Sequence, residues 1–284
     1  MKGKIRAYLD LIKFEHTIFA LPFGLSSVVL LVDNMPALKE IFLIIIAIVL
    51  ARTLGMALNR LIDEPYDRLN PRTMKWPLVS GVVSKGEVLV IIFASAFLFI
   101  LVSYLLNRLA FLLSPIILIL LFVYPYGKRF THFPHIILGL IYFLIPVAVD
   151  VALNSKVSLH AIIMGIGMAF WVSGFDILYS LQDYEFDKRV GLKSLPVMLG
   201  LEKSIKVSSI FHIITLISFL LLGLHHKDLG IIYFIGLFLI SILFMYQRRI
   251  IKPNDLSKLN VAFFTSNGYI SIIFLFVVIA DRVY

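Results

Sequence analysis

Nine apolar runs, near 16–33, 40–60, 87–106, 109–126, 135–153, 159–181, 207–224, 229–247 and 261–280, constrain this chain more than any other feature of its sequence. Each is close to the roughly 20 residues that a helix needs to cross the hydrocarbon core of a bilayer. An unpaired backbone N–H or C=O in lipid costs several kcal/mol, so a spanning segment must be a helix or part of a closed barrel. Runs of this length without two-residue alternation predict helices. Hydrophobic residues make up 60% of the chain and charged residues 15%, with a mean hydropathy of +0.98, which is too apolar for a soluble domain. The expected fold is an all-α polytopic membrane protein with nine transmembrane helices, as one domain over 1–284. The start, MKGKIRAYLDLIKFEHT, is basic and amphipathic, and no small-residue cleavage site closes the run behind it. It predicts an interfacial helix leading into the first span, not a cleaved signal. With no Cys, disulfides, thiolate metal sites and cysteine nucleophiles are excluded.

The net charge of +9 does not mark a nucleic-acid partner, because the basic residues are scattered through short inter-helix loops. Nine spans would put Lys39, Arg108, Lys156, Lys227 and Arg282 on one side, leave Arg52 within a span, and put the other twenty of the 26 Lys and Arg opposite. Positive charge marks the cytoplasmic side. The N-terminus and the two longest loops, about 61–86 and 182–206, are therefore expected in the cytoplasm, with the chain in the inner membrane of its cell. Nothing in the sequence implies an obligate protein partner.

Both long loops carry acids. Residues four apart on a helix share a face, about 6 Å apart along the axis, so Asn59, Asp63 and Asp67 form a column of oxygen ligands. Arg52 extends that column two turns deeper. Asp176, Asp183 and Asp187 repeat the spacing of seven and then four. An Asp or Arg near a bilayer centre costs roughly 2.5–3.5 kcal/mol, so these columns should face a wet pocket. Facing each other, they suit a hard divalent cation such as Mg²⁺, which commonly bridges carboxylates to substrate phosphates. Arg68, Arg72, Lys128, Arg129, Lys188 and Arg189 stand close by in sequence and can hold the outer oxygens of a diphosphate. In a membrane chamber rich in Phe, Tyr and Met, the group carried by that diphosphate is best read as an allylic isoprenoid, whose cation aromatic faces attract.

These residues resemble the UbiA superfamily of intramembrane prenyltransferases, and within it the 4-hydroxybenzoate polyprenyltransferases. Asn59, Asp63, Asp67, Arg72-Thr73 and Pro77-Leu78 through Gly81 match its first motif. Asp176, Asp183 and Asp187, with Gly191 to Ser194 downstream, match its second, and Tyr124 with Lys128 its YxxxK. The resemblance implies nine helices around a central cavity open to the lipid, and Mg²⁺ held by Asn59, Asp63, Asp67, Asp183 and Asp187. It also implies Arg72, Tyr124 and Lys128 at the diphosphate; Lys188, next to Asp187, is expected there too, and Asp63, Asp183, Asp176 and Lys128 are expected as the catalytic groups. The reaction implied is transfer of a polyprenyl group from its diphosphate to the ring carbon ortho to the phenol of 4-hydroxybenzoate, in quinone biosynthesis. Similar stretches, KFEHTIFALPF among them, also fit a dihydroxynaphthoate acceptor of menaquinone synthesis.

Arg52 is placed to pair with the acceptor's carboxylate, and Asp176, at matching depth, to orient its phenol or take up a proton; the alternative is that the two neutralise each other. Two departures stand out: Trp76 replaces the family's usual Arg, leaving Lys75 to supply that charge, and Pro65 should end or kink the helix between Asp63 and Asp67. Glu15 and His16 read equally as cavity mouth or as plain surface. A secondary transporter would also carry intramembrane acids, but here the acids gather at one face among cations, as around a phosphate. The DG and AR signature of CDP-alcohol phosphotransferases is missing.

Overall fold

The computed structural model describes residues 2–283, and the side chains of all of these except Lys2, His16 and Ile18. The described residues contain no β-strand. In chain order the helices are α1 (Lys2–Ile12), α2 (Thr17–Leu30), α3 (Leu38–Asp67), α4 (Lys85–Leu106), α5 (Arg108–Val123), α6 (Gly127–Phe130) and α7 (Pro134–Asn154). There follow α8 (Leu159–Ser180), α9 (Tyr184–Val190), α10 (Leu195–Leu199), α11 (Leu201–His225), α12 (Ile231–Ile250) and α13 (Asn267–Val283). Among the described residues, eight segments are long and apolar enough to cross a membrane, and the ninth expected span, α2, is apolar but only 14 residues long. The chain is a polytopic all-α membrane protein.

Short polar caps set the helix ends. Ser84 and Glu87 form a reciprocal capping box at the start of α4, and Ser158 caps α8 through the Ala161 N–H. Asn107 alone separates α4 from α5: its side-chain oxygen accepts from the Ala110 N–H, while its amide donates to the Val151 and Ala152 carbonyls, each at 2.8 Å. One residue thus ties the α4–α5 hairpin to the end of α7.

The centre of the bundle is α8, packed between α7 and α11 with Met164, Met168 and Trp171 fully buried. Small residues allow that approach, as is usual where lipid gives no hydrophobic drive between helices. A Cβ on Gly139 of α7 would fall 2.2 Å from the Ser173 Oγ and 2.6 Å from the Ala169 carbonyl oxygen of α8. On the far side, the Trp171 indole donates to the Asn267 side chain (3.0 Å), which also accepts from Gln247 (2.9 Å). This buried knot sits beside a π-helical turn, Val261–Ser266, and Phe263 within that turn stacks on Tyr179 with ring centres 4.1 Å apart.

Three expectations need correction. Residues 61–67 are not loop, because α3 continues as a 30-residue helix to Asp67. Pro65 does not end that helix either: so close to the C-terminus its missing N–H removes a single bond, and the Arg68 N–H still closes the last turn on the Glu64 carbonyl at 3.1 Å. The stretch 182–206 is likewise mostly short helices, α9, α10 and the start of α11.

Gly139→Leu is expected to destabilise the protein by about 1–3 kcal/mol through overpacking, seen as earlier thermal unfolding in detergent. Gly86→Ala, where the added methyl meets only the Ser84 Oγ at 3.9 Å, should leave the midpoint unchanged or raised.

Candidate active site

Arg52, Asn59, Asp63 and Asp67 project from α3 into one cavity, and Asp176, Asp183 and Asp187 enter the same cavity from α8, the 3-10 turn Leu181–Asp183 and α9. The two polar columns therefore share a chamber, as their spacing predicts. Its volume is ≈ 450 Å³. Along α3 the lining runs from Ile44 to Asp67, about 35 Å at 1.5 Å per residue. The acids crowd one end, and the rest is apolar, lined by residues such as Leu106, Leu113, Ile117, Leu138 and Ile145. Leu113 and Ile116 also belong to the exposed outer face of α5, so the chamber opens to the lipid-facing surface.

Each column's middle acid is neutralised by a cation from outside its own helix. The Lys128 ammonium lies 2.8 Å from an Asp63 oxygen, and Asn59 donates to the same oxygen at 3.2 Å. Arg72 grips Asp183 with two parallel bonds of 2.7 and 3.0 Å, and the Asn70 amide adds a third at 3.0 Å. Burial works against the Arg72 charge, and the Asp183 carboxylate more than offsets it, holding the guanidinium above its ordinary value. Both cations sit on braced segments. The Asn70 side chain accepts from the Arg72 N–H, Thr73 bonds the Asp67 carbonyl, and the Lys193 N–H donates to the Lys128 carbonyl at 2.7 Å. Tyr124 lines the wall a turn away from Lys128.

Deeper in, the Arg52 Nε is buried with no hydrogen-bond partner among the described residues. Asp176 does not neutralise it by a described ion pair. Asp176 instead holds His135, whose Nδ1 stands 2.6 Å from its carboxylate, and the other ring nitrogen, Nε2, is buried without a partner.

Other expectations fail. Lys188 is exposed and lies over the Tyr184 ring, outside the cavity lining, because one residue beyond Asp187 is about 100° around the helix. Arg68 pairs with Glu64, and neither it nor Arg129 lines the cavity, although Arg129, donating to the Ile62 carbonyl, also ion-pairs with the Asp63 Oδ1 at 3.6 Å. Lys75 is exposed and does not replace the family's Arg. The cation beside Trp76 is Arg60: buried, bonded to the Leu11 carbonyl at the end of α1, and stacked 3.4 Å over the Trp76 ring, it lines the cavity. Glu15 is exposed beside Lys13, and the side chain of His16 lies outside the described residues. Sequence reasoning missed His135, Asn70, Arg60, Lys13 and Lys193. An Arg followed by a Trp sixteen residues on carries no periodic signal, and a lone His inside an apolar run carries little more.

The formal charges in the lining nearly cancel: Lys13, Arg52, Arg60, Arg72, Lys128 and Lys193 against Asp63, Asp67, Asp176, Asp183 and Asp187. No three acidic or His side chains among the described residues are drawn together enough to hold an ion as they stand. The donor set nevertheless fits a hard cation. It is all oxygen, the Asp63 Oδ1 is buried with no hydrogen bond and only the Arg129 guanidinium 3.6 Å away, and Lys128 and Arg72 occupy positive places beside the acids.

A model described as the UbiA prenyltransferase family matches residues 20–268. The chain belongs to that family. It is a membrane-embedded prenyltransferase. A 4-hydroxybenzoate octaprenyltransferase of Pasteurella multocida is 30% identical over 99% of this chain and 98% of its own length. Among solved structures, a UbiA homolog from Aeropyrum pernix K1 superposes with a TM-score of 0.82 at 32% identity, covering 94% of this chain and 98% of its own. A UbiA homolog from Archaeoglobus fulgidus, bound to GPP and Mg²⁺, shares the fold with a TM-score of 0.72 at 24% identity, covering 98% and 100%.

The altered set of cavity cations is testable. Lys188→Ala should leave the apparent affinity for a prenyl diphosphate unchanged. Lys128→Ala should weaken it by about tenfold or more, the loss of one charge-assisted hydrogen bond, in binding measurements with Mg²⁺ on purified protein.

Proposed function

We propose that this protein transfers a polyprenyl group from its diphosphate to the ring carbon ortho to the phenol of 4-hydroxybenzoate, with Mg²⁺, at the cytoplasmic face of the inner membrane. The whole chain, 1–284, forms one catalytic domain in this reading. The observation that carries it is the convergence of both acid columns on the polar end of an apolar chamber, with an Arg52 deeper in whose Nε has no hydrogen-bond partner among the described residues. The relative's printed activity and the Mg²⁺ and GPP of the Archaeoglobus homolog support the same reading.

Charge decides how the substrates lie. Six cations and five carboxylates leave a surplus of one positive charge in the lining. Two divalent ions on Asn59, Asp63, Asp67, Asp183 and Asp187 would make the chamber strongly positive, enough to draw in a diphosphate and an aromatic carboxylate together. When bound, the ions polarise the diphosphate oxygens and stabilise charge on the leaving group. Lys128 and Arg72, released from Asp63 and Asp183, turn to the outer phosphate oxygens, with Arg60 behind them. Tyr124 borders the diphosphate beside Lys128. The isoprenoid lies along the apolar channel, and the Tyr179–Phe263 stack offers an aromatic wall to the allylic cation. Arg52 takes the acceptor's carboxylate and holds the ring against the allylic carbon, while Asp176 and His135 face the phenol. Holding two reactants in register is worth several kcal/mol of barrier on its own.

Membranes carrying the protein, incubated with Mg²⁺, a radiolabelled polyprenyl diphosphate and 4-hydroxybenzoate or dihydroxynaphthoate in parallel, should yield labelled prenylated 4-hydroxybenzoate; label only on the naphthoate would move the acceptor, and no product from either would overturn the reading. Asp63→Ala and Asp183→Ala should each abolish turnover while the protein still elutes as a folded species in detergent. Arg52→Ala should chiefly raise the acceptor's KM, and an unchanged KM would remove its role.

A further inference from the structure

We propose that His135 is the general base of this enzyme, taking the acceptor's phenolic proton on Nε2 while Asp176 holds its Nδ1–H. The proposal rests on the acceptor being a hydroxylated aromatic acid, as above. His135 opens α7, directly after Pro134, and is only 3% exposed. Three contacts fix it. Its backbone carbonyl accepts the Ser173 hydroxyl at 2.9 Å, its Nδ1 lies 2.6 Å from the Asp176 carboxylate, and the residue borders the chamber. A carboxylate can only accept, so at 2.6 Å the proton sits on Nδ1. In the neutral imidazole this leaves Nε2 as a lone pair, and it is the nitrogen with no partner. A buried acceptor without a donor is costly, and an incoming hydroxyl relieves it.

The surroundings suit the task. The chamber that His135 borders carries its charges on every side: Arg52, Asp63 and Asp67 from α3, Lys128 from α6, Asp176 from α8, and Asp183 and Asp187 beyond it. Asp63 is paired with Lys128 here and would hold a metal ion in the loaded site, and Arg52 is committed to a carboxylate in the proposed pose. The anion bonded to the ring is Asp176, which stabilises an imidazolium once it forms. Asp176 is then a positioning residue, and the proton goes to His135.

The step balances. The phenolic proton passes to Nε2, the C–O bond of the prenyl diphosphate breaks with its electron pair leaving on the diphosphate, and the ring carbon ortho to the oxygen bonds the allylic carbon. The resulting dienone loses its ring C–H proton to the diphosphate or water, and the imidazolium returns its proton to the oxygen. One proton is released per prenyl group transferred.

The test uses full-length protein in lipid nanodiscs with Mg²⁺, a short prenyl diphosphate and 4-hydroxybenzoate, following kcat and KM against pH. His135→Gln keeps an amide N–H for Asp176 but has no base. It should lower kcat by about 100-fold or more, with the acceptor's KM little changed. The low-pH limb of the wild-type profile should give way to one that follows the phenol's own ionisation. A fluorinated 4-hydroxybenzoate with one free ortho carbon and a more acidic phenol should recover much of the variant's loss. Asp176→Asn, which removes the neighbouring negative charge, should move the low-pH limb to lower pH, a shift that a merely structural role would not produce. Wild-type-like kcat and pH profile in His135→Gln, or an unmoved limb in Asp176→Asn with equal response to fluorination, would overturn the assignment alone. Wild-type protein that prenylates no hydroxylated aromatic acid would overturn both this inference and the function on which it rests.

Discussion

Charge in a medium that cannot solvate it is the constraint on which the rest of this structure depends. Carboxylates facing a chamber inside an apolar bundle cannot be left alone, since an isolated buried ion costs several kcal/mol even after relaxation. The fold answers with cations delivered from other segments: Lys128 from the turn after α5 reaches Asp63, and Arg72 from the turn after α3 reaches Asp183. Each pairing joins parts of the chain far apart in sequence, so the electrostatics of the site also position the loops. The same pairs are exchangeable. A phosphate can replace a carboxylate as the partner of Lys or Arg, and a metal ion can replace Lys or Arg as the partner of the carboxylate.

The scaffold makes that exchange precise by keeping movable charges on braced backbone. Backbone bonds from Lys193 to Lys128 and side-chain bonds from Asn70 and Thr73 hold the short segments at the polar end. Beneath them α8 is gripped by α7 and α11 through glycine contacts that leave little room for sliding. The buried Trp171–Asn267–Gln247 knot fixes the start of α13 on the opposite flank, next to the π-helical turn that carries Phe263 to Tyr179. Side chains at the chamber can thus change partners while the helices that carry them stay in register.

Much of this was legible in the sequence, for reasons that are periodic. Apolar runs of spanning length announce helices because lipid leaves no other open-chain choice. Spacings of seven and four place Arg52, Asn59 and Asp63, and again Asp176, Asp183 and Asp187, on single faces, and they do share one chamber. What escaped was whatever depends on the third dimension alone. Lys188 follows a cavity residue in sequence, yet the helical turn points it outward. Arg60 looked like a topology signal, and only the folded chain brings the Leu11 carbonyl and the Trp76 face to it. Pro65 warned of a break, but so near a helix end it removes only one bond. His135 lies in an apolar run with no partner at a helical spacing, and its meaning appears only when Asp176 arrives from the next span.

The side opening at Leu113 and Ile116 has a further consequence. In the proposed reaction, a donor's far end could pass through that opening into the lipid acyl chains, where one more isoprene unit would meet the same surroundings as the last. Under that proposal tail length would be set by whichever enzyme assembles the donor, and the product would depart sideways without drawing its tail through water.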